Sequence, residues 1–151
     1  MKRLVLLIFI LFLVKDNVMF AQNRQNMKKC GILSIIISGL KNNKGEVQVG
    51  LFGSKEEYNG KKDKFKGAVI KVEEKEVKWI VKDVPYGEYA VKAFHDENKN
   101  GKVDMNFFGI PVESYGFSNN VKGLFGPPGF EKVKFTFNQD SMLIKIILHK
   151  M

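Results

Sequence analysis

The chain lacks most of the residues that announce a reactive centre. A single cysteine, Cys30, means that no intramolecular disulfide can form. Histidine occurs only at His95 and His149, which excludes a multi-histidine zinc centre. Arginine occurs only at Arg3 and Arg24, and the lysines are scattered, so nothing forms the dense basic stripe of a nucleic-acid reader. No nucleophile-elbow motif is present. There is no internal repeat, and 151 residues suffice for one domain with a real core but not comfortably for two. Stability must therefore come from packing, helped at most by a metal ion.

What is present begins with an export signature. Lys2 and Arg3 precede Leu4 to Val14, an unbroken apolar run of about eleven residues. That length falls well short of the roughly 20 residues that span a bilayer, and it suits a signal peptide. Cleavage is expected after Ala21, leaving Gln22 as the new N-terminus; an uncleaved anchor is the rival reading. Cys30 follows Lys28 and Lys29 and lies well past the apolar run, so it does not fit a lipid-attachment site. The first twenty-one residues hold Lys2, Arg3, Lys15 and Asp16, a net +2, which leaves +7 of the chain's +9. An exported protein, even a basic one, has few occasions to meet nucleic acid; its lysines read as solvated strand faces and edge protection, with weak affinity for anionic membrane or polysaccharide surfaces as the alternative. The expected location is periplasmic or extracellular, with no transmembrane span in the mature chain.

After a polar lead-in over residues 22–30, the remainder reads as strands. Ile32 to Ser38 is a continuous β-branched run suited to a buried strand. Val47, Val49 and Leu51 alternate with Glu46, Gln48 and Gly50. The turn Lys41 to Gly45 between them predicts a hairpin. Ser54 and Glu57 form a capping box for a short helix stopped by Asn59-Gly60. Further strands are expected at Ala68 to Val72, Val77 to Val81, Glu88 to Phe94, Val133 to Phe137 and Met142 to Leu148. Glu88 to Phe94 is apolar on both faces, which marks a central strand, and Trp79 reads as a core anchor. About seven strands with almost no helix predict an all-β fold, a single antiparallel β-sandwich over residues 31–151, with a closed barrel as the alternative.

The stretch His95 to Asn120 concentrates the chemistry. Asp96, Asn98, Asn100, Gly101 and Asp104 follow a D-x-N-x-N-G-x-x-D spacing, which sets short oxygen-bearing side chains on alternate residues around a glycine turn, as calcium loops do. The expected metal ligands are Asp96, Asn98, Asn100, the Lys102 carbonyl, Asp104 and, from a distance, Glu113, with Glu97 as second choice. The twelfth position, a bidentate Glu in an EF-hand, is Phe107 here, and strands rather than helices flank the loop, so an EF-hand is excluded. Only two of the loop's ligand positions are carboxylates, which predicts Ca2+ affinity of about 10⁻⁴ to 10⁻³ M, usable outside the cell. A metal-free turn is equally open, because Asp, Asn and Gly also cap their own backbone. Downstream, the aromatic residues read either as a cap on one end of the sandwich or as a groove. In the groove reading Tyr115, Phe117 and Phe125, with Asn119 and Asn120 as hydrogen-bonding groups, form a ligand surface for a glycan or an extended peptide.

The segment PYGEYAVKAFHDENKNGKVDMNFFGIPVESYGFSNN, with GPPGFEKVKFTF further on and ISGLKNNKGEVQVGLF near the start, resembles the bacterial domain-of-unknown-function 2141 family. The resemblance implies an exported domain and carries no assigned activity. Ser114 stands where that family commonly has glycine in its P-x-E-G-Y-G motif. The VPYGEY turn is similar to the Pro-Gly-x-Tyr turn of transthyretin-like and carboxypeptidase-regulatory-like sandwiches.

Catalysis fits less well than binding. His95 and Asp96 are neighbours in a strand and point to opposite faces, so a triad with Ser114 or Ser118 is poorly placed. Glu97, Asp104 and Glu113 could supply an acid–base pair only at a separation that sequence does not give. The expected function is a non-enzymatic, exported module offering a loop surface to a glycan, peptide or envelope protein. The alternatives are a small secreted hydrolase and a structural or assembly domain without a small ligand.

Overall fold

The computed structural model describes residues 29–123 and 126–150. The expected signal peptide, Leu124 and Phe125 lie outside them. Eight strands are formed: β1 Cys30–Ser38, β2 Glu46–Phe52, β3 Lys66–Lys71, β4 Glu76–Pro85, β5 Gly87–Asp96, β6 Tyr115–Phe117, β7 Phe135–Phe137 and β8 Ser141–Ile147. Two short helices interrupt them, α1 Lys55–Tyr58 and α2 Phe130–Val133, together with a 3-10 turn at Ser118–Asn120. No helix among the described residues is long and apolar enough to cross a membrane.

The strands form two sheets, not a closed barrel. One has the order β4-β1-β8; the other runs β3-β2-β5, with β6 and β7 pairing in series along the far edge of β5. All pairs are antiparallel except β1 with β8. The fold is thus an all-β sandwich. Leu33, Ile35 and Ile37 of β1 face Val47, Val49 and Leu51 of β2 in the shared core, joined by Val77 and Val81, Tyr89 and Val91, Phe137 and Ile146. Each of the larger aliphatic side chains contributes roughly 1.5–3 kcal/mol by leaving water. Trp79, partly buried, packs against this core.

The expected β1–β2 hairpin does not form. β1 pairs with β4 and β8, whereas β2 pairs with β3 and β5. Both strands bury an apolar face in the same interior, and two such faces can meet only if the strands lie in opposite sheets. Lys41 to Gly45 therefore crosses between the layers. The segment at Val133 also differs: it closes α2, and only Phe135–Phe137 is strand. β5 is central, flanked by β2 on one side and by β6 and β7 on the other; its inner face joins the shared core and Ala90 on its outer face packs under Tyr58 and Phe130, which explains its two apolar faces.

Candidate functional site

The outer face of the five-stranded sheet is built in rows across the strands. One row holds Gly67, Gly50, Lys92 and Phe117; the next holds Val69, Gln48, Phe94 and Tyr115. The outer face of a sandwich is ordinarily polar and solvated. Here Gly50 and Gly67 leave bare backbone, and valine and aromatic residues stand beside them. A second apolar cluster, Tyr58, Ala90, Phe117, Phe130 and Val133, covers the end of this face nearest the helices.

α1 is fixed by the capping box read from sequence. The Glu57 N–H donates to Ser54 Oγ at 3.2 Å, and Glu57 Oε2 accepts from the Gly53 N–H at 2.8 Å. Its last residue, Tyr58, is buried and donates its hydroxyl to the Pro128 carbonyl at 2.8 Å. Burial pushes the Tyr58 phenol up to about 12. Lys92 lies with its ammonium 3.8 Å from the Tyr58 ring centre, 5.2 Å from that of Phe52, and 2.6 Å from the Tyr58 carbonyl. Its pKa is lowered by burial.

At the opposite end, β5 runs into the Asp96 loop. Asp96 is fully buried, its Oδ1 accepting from the Asn100 N–H at 3.1 Å and its Oδ2 from the Gly101 N–H at 2.8 Å. Gly101 has φ +76, a left-handed value that favours glycine. Asn98 and Asn100 turn their side-chain amides onto the Asp104 carboxylate at 2.6 and 2.8 Å. Asn100 Oδ1 accepts from the Lys102 N–H at 2.8 Å. Glu113, also buried, ties the loop at its base, accepting from the Glu97 N–H at 3.0 Å and the Asp104 N–H at 3.1 Å.

The inter-sheet link supports this loop from outside. Lys41 and Asn42 hold the Glu97 carboxylate at 2.9 and 2.7 Å, and Lys41 is the main cause that lowers the Glu97 pKa. His95, facing the interior, donates Nε2–H to the Lys44 carbonyl at 2.6 Å. Its Nδ1 is buried without a hydrogen-bond partner among the described residues. The opposite orientations of His95 and Asp96 follow the alternation expected of a strand.

The structure therefore brings together Asn98, Asn100 and Asp104, with Asp96 beneath them. Asp96 and Glu113 direct their carboxylates at backbone N–H groups. Among the described residues no three His, Cys, Asp or Glu side chains gather into a metal-holding group. A cation here would rely on asparagine and main-chain oxygens as well, as the low ligand charge of the loop anticipates.

Beyond Asp104 the chain makes a tight finger. Met105 bridges Pro111, and Asn106 closes the tip by accepting the Phe108 and Ile110 N–H groups at 2.9 and 3.0 Å. Phe107 is 97% exposed and Phe108 81%. The finger and the outer sheet face enclose a cleft of about 1030 Å³, with Met105, Phe108 and Ile110 on one wall and Val69, Phe94 and Tyr115 among its floor. Tyr115 and Phe117, both expected at a ligand surface, border this cleft with their rings 5.7 Å apart in an edge-to-face contact. Phe117 is itself buried.

Asn119 and Asn120 do other work. Asn119 Nδ2 donates to the Lys134 carbonyl at 2.9 Å. Asn120 Oδ1 accepts the Ile147 N–H at 2.8 Å, and its Nδ2 reaches the Lys145 carbonyl at 3.3 Å. Both amides clasp the protein's own backbone. Phe125 lies outside the described residues. Lys64, Val69, Lys92 and Phe94 escaped sequence reasoning; the available signal was the pair of glycines in adjacent strands and the apolar outer face of β5.

No curated protein and no solved structure gives a significant match to the chain. A family profile described as an uncharacterized protein conserved in bacteria (DUF2141) matches residues 35–145. That match covers both sheets, the Asp96 loop and the finger, and the chain belongs to this domain-of-unknown-function family.

Proposed function

We propose that this chain is an exported, non-enzymatic β-sandwich module that holds an apolar or amphipathic ligand in the cleft between the outer sheet face and the finger. The carrying observation is the cleft itself, about 1030 Å³ with an aromatic and aliphatic lining on a sheet face that would ordinarily be polar. Its size stands at the upper end of ligand pockets. The engagement of Asn119 and Asn120 on the backbone favours an apolar ligand over the glycan that free amides would suit. The acidic residues support binding over hydrolysis. Glu97 is tied to Lys41 and Asn42, Glu113 accepts two backbone N–H groups, and Asp104 accepts two side-chain amides. Displacement of an environment-sensitive apolar dye tests the reading. Val69→Trp, on an exposed outward position of β3, fills the cleft and abolishes dye binding without loss of fold. Unchanged dye binding in that variant would remove the cleft as the site.

The D-x-N-x-N-G-x-x-D spacing supports a second role for the loop, a weak calcium site that stiffens the cleft wall once the Asn98 and Asn100 amides, which donate N–H groups to Asp104 in the metal-free turn, present their oxygens instead. Its test is a thermal melt in millimolar calcium against chelator, where no shift in Tm would leave the loop a self-sufficient hydrogen-bonded turn. The export reading rests on the Lys2 to Ala21 leader, and it is checked by the mass of the mature protein, expected to begin at Gln22.

A further inference from the structure

The cleft is chemically polarised. Its finger end is walled by Met105, Phe108 and Ile110. Its other end carries Lys92 on the row Gly67–Gly50–Lys92, and Lys64, from the segment that precedes β3, reaches over the same row. Lys64 lays its aliphatic stem over Gly67, where a Cβ would collide with it, and toward Gly50, where a Cβ would meet the Phe52 ring at 2.9 Å and Lys64 Cδ at 3.2 Å. Lys92 rises from the same row two strands away, roughly 10 Å across at the usual strand spacing. Among the described residues neither lysine has a carboxylate at ion-pair distance. Lys92 rests on a carbonyl and two rings, and Lys64 is solvent-exposed above bare backbone.

Two cations without counter-ions at one end of an apolar cleft complement a ligand with the opposite division. Resting on the cleft reading above, we propose that the ligand is a single-chain fatty-acid carboxylate. Its chain lies over Val69, Phe94 and Tyr115 toward the finger, and its head accepts hydrogen bonds from Lys64 and Lys92. A half-buried ammonium held only by a neutral carbonyl and two rings gains a charge-assisted hydrogen bond when an anion arrives. The bare Gly50–Gly67 backbone is what lets the Lys64 stem lie flat and bring its charge to the mouth.

Titration calorimetry with dodecanoate and with dodecanol, a neutral head on the same chain, tests this directly. Dodecanoate is expected to bind at least about tenfold more tightly, the range of one charge-assisted hydrogen bond. Lys64→Gln, at an exposed position that leaves the fold intact, should bring the affinity for dodecanoate close to that for dodecanol in the same variant. Val69→Trp should abolish both. Equal affinities of the two ligands, or a carboxylate preference that survives both Lys64→Gln and Lys92→Gln, overturns the head-group assignment while the cleft stands. Binding of neither ligand overturns this inference, and the cleft reading then depends on the dye experiment alone.

Discussion

The Glu113 carboxylate accepts the backbone N–H of Asp104 at 3.1 Å while its other oxygen takes that of Glu97 at 3.0 Å. One buried side chain thus closes a loop whose two ends lie seven residues apart, and the finger that follows Asp104 inherits its position from that closure. Glu113→Gln replaces one accepting oxygen by a donor facing an N–H. It is expected to destabilise the fold by about 1–3 kcal/mol, the cost of an unsatisfied buried group. Urea unfolding measures the loss. Hydrogen exchange should show faster exchange at the Glu97 and Asp104 amides of the loop than in β5.

The calcium role of the loop gives a graded expectation. At an affinity of about 10⁻⁴ to 10⁻³ M, several millimolar calcium should raise stability by about 1–2 kcal/mol through binding to the folded state alone. Asp104→Ala should abolish the increment, since it removes one of the two carboxylates in the loop's ligand cluster. Lys41→Ala, which acts on Glu97 outside that cluster, should keep it.

Finger residues separate in their effects. Phe108 lines the cleft and Phe107 does not, although both are exposed and their rings touch edge to face. Phe108→Ser is expected to weaken dye or dodecanol binding several-fold, whereas Phe107→Ser should leave it within twofold. Neither should shift the urea midpoint appreciably, because exposed side chains contribute little to stability.

Alkaline unfolding isolates Tyr58. Its folded pKa of about 12 lies above the ordinary value of 10.0, so the neutral phenol is the form the fold favours. The stability this supplies is complete below pH 10 and is lost as pH rises toward 12. Tyr58→Phe should cost about 1 kcal/mol at neutral pH through the lost hydrogen bond to Pro128. It should also flatten the decline between pH 10 and 12, read as the difference between the two proteins' urea midpoints.

Gly45 ends the inter-sheet link at φ +75, where a Cβ would collide with the Asp96 carbonyl. Gly45→Ala is therefore expected to destabilise by about 1–2 kcal/mol or more, combining left-handed strain with that clash. Gly60→Ala has a similar φ of +74 and open space around it, and should cost less. Comparing the two by thermal melts separates strain from collision.

The sequence by itself determined the all-β class, the strands that alternate cleanly, the capped turn at Ser54 and the Asx-rich character of the Asp96 loop, which it left open between a calcium site and a metal-free turn. Each is local: period-two burial, a cap within four residues, and Asx side chains that reach their own backbone need no distant partner. The family was legible too, since its long central motif is contiguous. Only the tertiary structure decided the rest. Sheet membership of β1 and β2 depended on which apolar faces meet in the core, which the turn between them does not encode. The cleft required Gly67, Gly50 and Lys92 to fall into register across three strands. It also required the finger to fold back from Asp104, and only the folded chain brings the end of α2 to Asn119 and β8 to Asn120. Register and layer assignment are long-range properties, set by packing between segments far apart in the chain.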